Sequence, residues 1–287
     1  MKYLFQKLLK LTQAATFFWP VMTSICLGWL VSSSQPVLGR IGSSLGIICL
    51  LMAVFTFGSI EDAPMDAFTE TKNPGNPISR GYVSIPSAWK LCMVLALIGL
   101  LLSVLSSRGT MLINLGLLFI GILYFHHTLK LRQSLLLDVL GFSIITSLFP
   151  FLWTVNTTAN HLGIDSLTTG TLAFFLTYAT YFTMIESKEK SLSPDLAKPK
   201  LTLGIMIVLV VIVISTLFTF SFSGLVPAWV SVLMVVLFVI MVYPQFSRRA
   251  AIQTETYAHI LLAIYQRVLV IALVTYFLST QIFSILR

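Results

Sequence analysis

Charge is what this chain has least of. Lys, Arg, Asp and Glu make up 10% of its 287 residues, where soluble globular proteins carry about 25%. Apolar residues make up 57%, more than a soluble core can hide, so the natural solvent is lipid. Cysteine is scarce as well: Cys26, Cys49 and Cys92 all fall inside apolar runs, which excludes a disulfide framework and any cysteine spacing for metal. The four histidines show no ligand spacing either. His126 and His127 are adjacent, so on a helix they point to different faces. The net charge of +8 forms no single basic stripe, which argues against a nucleic-acid partner. Basic residues sit instead in short loops between apolar runs, as in the inner loops of membrane proteins.

A transmembrane helix needs about 20 apolar residues. Nine runs qualify: 15–32, 37–60, 88–106, 110–126, 135–154, 166–185, 201–222, 226–243 and 258–283. The fold class is therefore all-α, a polytopic membrane bundle, read as one domain over 1–287. Residues 1–14 place Lys2, Lys7 and Lys10 among Leu and Phe, the pattern of an amphipathic helix on the membrane surface. A signal peptide is the competing reading. With the N-terminus inside, only Arg40, Arg108 and Arg287 of the 18 Lys and Arg fall outside, and Arg267 lies in the last span. That bias predicts a cytoplasmic N-terminus and an outside C-terminus. Arg267 is an ionisable group within a span, a common mark of function; snorkelling or a pair with Asp138 are the alternatives.

Of the ten carboxylates, Glu61, Asp62, Asp66 and Glu70 fall in one short stretch, and Glu186, Glu189 and Asp195 in another. Both lie on the predicted inner side, within the segments 61–86 and 186–200. Asp62, Asp66 and Glu70 are spaced by four, which on a helix places them on one face. Stacked like charges call for a cation, and Mg²⁺ typically takes one or two carboxylates with water and substrate phosphates. Lys72 and Arg80 follow closely and suit a diphosphate. A solvated acidic loop is the plainer reading. Pro64 removes a helical hydrogen bond between Asp62 and Asp66, so a kink or restart is expected there, with Asp62 as its cap.

These residues resemble the UbiA-type intramembrane prenyltransferases, an all-α family of nine transmembrane helices. That family carries Asn-Asp-x-x-Asp-x-x-x-Asp at the inner end of its second helix, then a loop like Arg-Pro-Leu-x-Ser-Gly. Here Asp62, Asp66 and Glu70 fall on the first Asn, the middle Asp and the last Asp, and Asn76-Pro77-Ile78-Ser79-Arg80-Gly81 is similar to the loop. Tyr124 to Arg132 resembles the family's Tyr followed by Leu-Lys after the fourth helix. Glu186 and Glu189 fall on the first two acids of the second signature, and Lys200-Leu201-Thr202-Leu203 echoes its ending. The chain departs from the pattern at Ala63, where the family has its first Asp, and at Asn76, where the loop has Arg.

The resemblance implies a prenyl diphosphate substrate, an acceptor left open, and Mg²⁺ as cofactor. It implies Mg²⁺ held by Asp62, Asp66, Glu70, Glu186 and Glu189, and diphosphate held by Lys72, Arg80, Lys130, Arg132 and Lys188. Asp62, Asp66, Glu186, Glu189 and Lys130 would carry the ionisation. Tyr124, Tyr178 and Tyr181 would line the chamber for the allylic cation, with interfacial or packing roles as the alternative. The membrane lipid would adjoin the isoprenoid tail. Transfer of the prenyl group to the acceptor is the first reading, and cyclisation of the prenyl diphosphate, as in terpene-cyclase relatives, the second. A transporter or non-catalytic membrane protein is the third, disfavoured because the acids gather at one membrane face rather than at the midplane.

Overall fold

The computed structural model describes residues 7, 9–31, 37–68, 76–106, 108–129, 131–158, 169–179, 181–182, 208–209, 211–217, 228–229, 231–232, 235–236, 239, 267–268, 270–271 and 273–274. Among the described residues there is no strand, so the all-α expectation holds. The elements are α1 (Ala14–Val31), α2 (Val37–Phe68), α3 (Ile85–Ser106), α4 (Arg108–Phe125), α5 (Leu135–Ser143) and α6 (Phe149–Thr158). Two 3₁₀ turns, His127–Leu129 and Leu131–Gln133, join α4 to α5. A π-helical turn, Ile144–Leu148, joins α5 to α6. The first five expected spans match these elements, and the remaining four fall partly outside the described residues.

Among the described residues, three helical stretches are long and apolar enough to cross a membrane: Ser44–Ala67, Ile85–Val104 and Leu135–Asn156. The protein is an integral membrane protein. In lipid every backbone group must be satisfied internally, which accounts for the unbroken helices and for where they bend. Pro150 has no N–H to donate and crowds the preceding turn, and the π turn lies directly before α6, which contains it. Outside the bundle, α3 turns Met93, Val94, Leu97, Leu101 and Val104 outward, an apolar face suited to acyl chains.

Inside, a buried aromatic cluster joins α1, α2, α4, α5 and α6. Phe17 stacks on Phe55 with ring centroids 4.7 Å apart, and Phe55 meets Phe125 and Phe142 edge-on at 5.4 and 6.0 Å. Ser24 of α1 donates to Ser147 of the π turn at 2.9 Å in the same buried region. α2 and α3 approach closely because Gly99 has no side chain. A Cβ there would lie 2.9 Å from the Gly46 carbonyl oxygen, the kind of contact that small residues permit between membrane helices.

At the polar end of α2 a smaller cluster forms from Leu11, Ile60, Ala63, Ile78 and Ala88. Ser59 donates to the Leu11 carbonyl at 2.8 Å, and Gln13 donates to Ser59 at 3.1 Å. The N-terminal segment is thereby fastened where the acids begin. The restart expected at Pro64 does not occur. α2 continues through Pro64 to Phe68, with Pro64 exposed, so Asp62 is a mid-helix residue and not a cap. The polar connection is correspondingly shorter than 61–86, since α3 already begins at Ile85.

Candidate functional site

Three carboxylates of the last two turns of α2 point to three different partners. Asp62 accepts two hydrogen bonds from Arg132 Nη1, each 2.7 Å. Asp66 accepts from Asn76 Nδ2 at 2.9 Å. Glu61 lies 2.9 Å from His127 Nδ1. Successive helical residues are rotated by about 100°, so Glu61 and Asp62 point apart, while Asp62 and Asp66 share a face one turn apart.

Arg132 sits at the centre of the arrangement. Besides Asp62, its Nε is 4.0 Å from Asp138 Oδ1, and its guanidinium lies over the rings of Phe125 and Tyr124 at 5.2 and 5.9 Å. Burial works against the Arg132 cation, but the carboxylates of Asp62 and Asp138 outweigh it and hold its pKa above the ordinary arginine value. Tyr124 donates its hydroxyl to Asp138 Oδ1. The ring of Tyr124 fits there because residue 141 is glycine: a Cβ at Gly141 would collide with Cδ2 and Cε2 of the ring. Tyr181 lies flat on Phe142, centroids 3.8 Å apart and planes 12° from parallel. Tyr178 stacks on Phe182 at 6.4 Å.

Asn76 is the hinge of the connection between α2 and α3. Its Nδ2 donates to the Ser59 carbonyl at 2.9 Å as well as to Asp66, and its Oδ1 accepts from the Ile78 N–H at 3.0 Å. The turn that follows ends at Gly81 with φ +69°, a conformation glycine adopts without strain. Arg80 is exposed on this turn.

The sequence expectations divide accordingly. Asp62, Arg132 and Tyr124 come together in one network with Asp138, and Asp66 lies a turn further along α2. Tyr181 stacks on Phe142, which belongs to the same buried cluster as Tyr124, while Tyr178 belongs to a separate packed cluster. Glu70, Lys72, Lys130, Glu186, Lys188 and Glu189 lie outside the described residues. The alternative pair of Arg267 with Asp138 does not form: Asp138 is held by Tyr124 and Arg132, and Arg267 lies over the Trp19 ring at 5.8 Å. Motif spacing does not single out Asp138, which joins this network. Its signal was an acid inside an apolar span, a costly placement that demands a partner. The sequence marks Asn76 as a departure from the loop arginine, and its anchoring role depends on contacts that spacing does not reveal.

The donor chemistry suits a hard divalent cation. Asp62 and Asp66 offer carboxylate oxygens one turn apart, and Mg²⁺ uses one or two carboxylates with water and phosphate oxygens. Arg132 occupies Asp62 with a geometry it could equally offer a phosphate.

No family model matches the chain, and no curated protein matches its sequence. Solved structures do. A UbiA homologue from Archaeoglobus fulgidus bound to GPP and Mg²⁺ aligns with a TM-score of 0.67 at 15% identity, covering 94% of this chain and 99% of that one. A digeranylgeranylglyceryl phosphate synthase aligns at 0.64 and 16% identity, covering 96% of this chain and 100% of that one. A UbiA homologue from Aeropyrum pernix K1 aligns at 0.66 and 14% identity, over 87% and 96% of the two chains. With near full-length overlap at TM-scores of 0.64 to 0.67, this chain has the fold of the UbiA homologues.

Proposed function

We propose that this protein is a Mg²⁺-dependent intramembrane prenyltransferase, which ionises a prenyl diphosphate and transfers the prenyl group to an acceptor. The observation that carries the reading is a fold match over nearly the whole chain to a homologue bound to GPP and Mg²⁺. The chain's own acids, Asp62 and Asp66, lie a turn apart at the polar end of an apolar helix, which supports it. A homologue bound to DMAPP and Mg²⁺ aligns comparably, with a TM-score of 0.65.

In this reading Asp62 and Asp66 hold Mg²⁺ together with Glu70, Glu186 and Glu189. Bound Mg²⁺ offsets charge on the leaving diphosphate as a Lewis acid. Arg132 exchanges Asp62 for a diphosphate oxygen, so a pair that is self-neutralised without substrate opens into one cation and one anion when substrate arrives. Lys72, Arg80, Lys130 and Lys188 add charge-assisted hydrogen bonds to the same group. Asp138 and Tyr124 keep the guanidinium in place during the exchange. Tyr124 and Tyr181 supply aromatic rings to which an allylic cation would be attracted. The site opens to the cytoplasm, following the positive-inside bias.

The test is diphosphate release by the full chain in nanodiscs, supplied with prenyl diphosphates of several lengths and Mg²⁺. Release that waits for an added phenolic, quinone-precursor or lipid acceptor supports transfer. A cyclic terpene formed without acceptor replaces transfer by cyclisation. Undiminished release by Asp66→Ala ends the enzymatic reading of these acids.

A further inference from the structure

The two histidines after α4 have no part in the proposed reaction. α4 ends at Phe125 and His127 opens a 3₁₀ turn, so the expectation that the two rings diverge fails. The rings stack instead, with centroids 5.0 Å apart and planes 15° from parallel. Glu61 reaches them from α2, across 66 residues of sequence, with Oε2 2.9 Å from His127 Nδ1. One ligand atom from each of Glu61, His126 and His127 lies within 4.8 Å of the others.

We propose that Glu61, His126 and His127 form a site for a zinc-type divalent cation, distinct from the carboxylates of Asp62 and Asp66. Two imidazoles and one carboxylate suit Zn²⁺ and its transition-metal neighbours, whereas Mg²⁺ favours all-oxygen donors. Zinc bonds of about 2.0–2.2 Å bring ligand atoms to roughly 3.5 Å from one another, so small side-chain rotations complete the site. Thr128 supplies an outer-shell partner. Its Oγ1 is 2.8 Å from His126 Nδ1 and can accept the proton of that nitrogen, the tautomer in which Nε2 presents its lone pair. The longer contact from the Thr128 N–H to the same nitrogen, 3.3 Å, is the one surrendered. The side chain of His127 is 70% exposed and that of Glu61 19%, so an ion can enter and keep water in its remaining position. Asp62, the next residue, turns instead to Arg132, which separates this ion from the proposed Mg²⁺ site. A bound ion ties the end of α2 to the turn after α4.

The experiment is calorimetric titration of tag-free, EDTA-stripped full chain in detergent with Zn²⁺, in excess Mg²⁺. One Zn²⁺ per chain is expected. Losing an outer-shell partner alone costs a metal site about 10–100-fold, so His126→Ala/His127→Ala should weaken Zn²⁺ by roughly a hundredfold or more. Unchanged affinity in that double variant overturns the proposal, as does Zn²⁺ binding that excess Mg²⁺ abolishes. If the double variant does not fold, Co²⁺ bound to the wild type decides. Visible bands of nitrogen-ligated, low-coordinate Co²⁺ that Zn²⁺ displaces support the site, and a spectrum of merely hydrated Co²⁺ overturns it. None of these readings requires turnover, so they stand apart from the prenyltransferase assignment.

Discussion

The pairing of Asp62 with Arg132 yields the most quantitative prediction. Two 2.7 Å bonds run from one guanidinium nitrogen to both carboxylate oxygens, and the side chains are 25% and 39% exposed. Exposed pairs contribute about 0.2–1 kcal/mol, and breaking a fully buried pair costs about 3–5 kcal/mol. This pair lies between those limits. With the more exposed partner discounted for solvent screening, its coupling should be about 1–2 kcal/mol. The assay is a double-mutant cycle of Asp62→Asn, Arg132→Gln and the double variant, followed by SDS-induced unfolding of the purified protein. Arg132→Gln should be the costlier single change, because it also leaves Asp138 without its nearby cation. The cycle should return a coupling of about 1 kcal/mol or more, diminished by added salt as surface screening requires. Additive single effects, within about 0.3 kcal/mol, would refute the argument that the two charges neutralise one another at the end of α2.

The other predictions concern the surroundings of that pair. Gly141→Ala should destabilise the protein by about 1–3 kcal/mol, the usual cost of overpacking, because its Cβ would strike the Tyr124 ring; the same unfolding assay checks it. Asn76→Ala should cost about 1–3 kcal/mol, since it strips the Ser59 carbonyl and the Ile78 N–H of their buried side-chain partner. Chelation with EDTA should abolish diphosphate release, and added Mg²⁺ should restore it to the wild type. Asp66→Ala should lower that release by at least about a hundredfold, on the scale of losing one group that stabilises developing charge.

The membrane helices were legible in the sequence because lipid imposes a one-dimensional rule. A span must be about 20 residues of apolar chain with its hydrogen bonds made internally, and hydropathy along the sequence records both. The first five expected runs accordingly match α1 to α6. Spacing of four also placed Asp62 and Asp66 on one helical face, and the motifs were sufficient to suggest the fold later found in solved relatives.

What could not be read was which polar group meets which. Asp62 and Arg132 stand 70 residues apart in sequence, and Glu61 and His127 stand 66 apart. Those distances are closed only when α2 packs against α4 and the turns after it. The sequence predicts a kink or restart at Pro64, yet the helix continues through it to Phe68. The helical rule that points the two histidines to different faces ceases to apply at Phe125, where α4 ends. Apolar length and periodicity are local properties that each segment carries alone. Charge pairing is a property of two segments together, and it arises only where packing brings their ends to the same place.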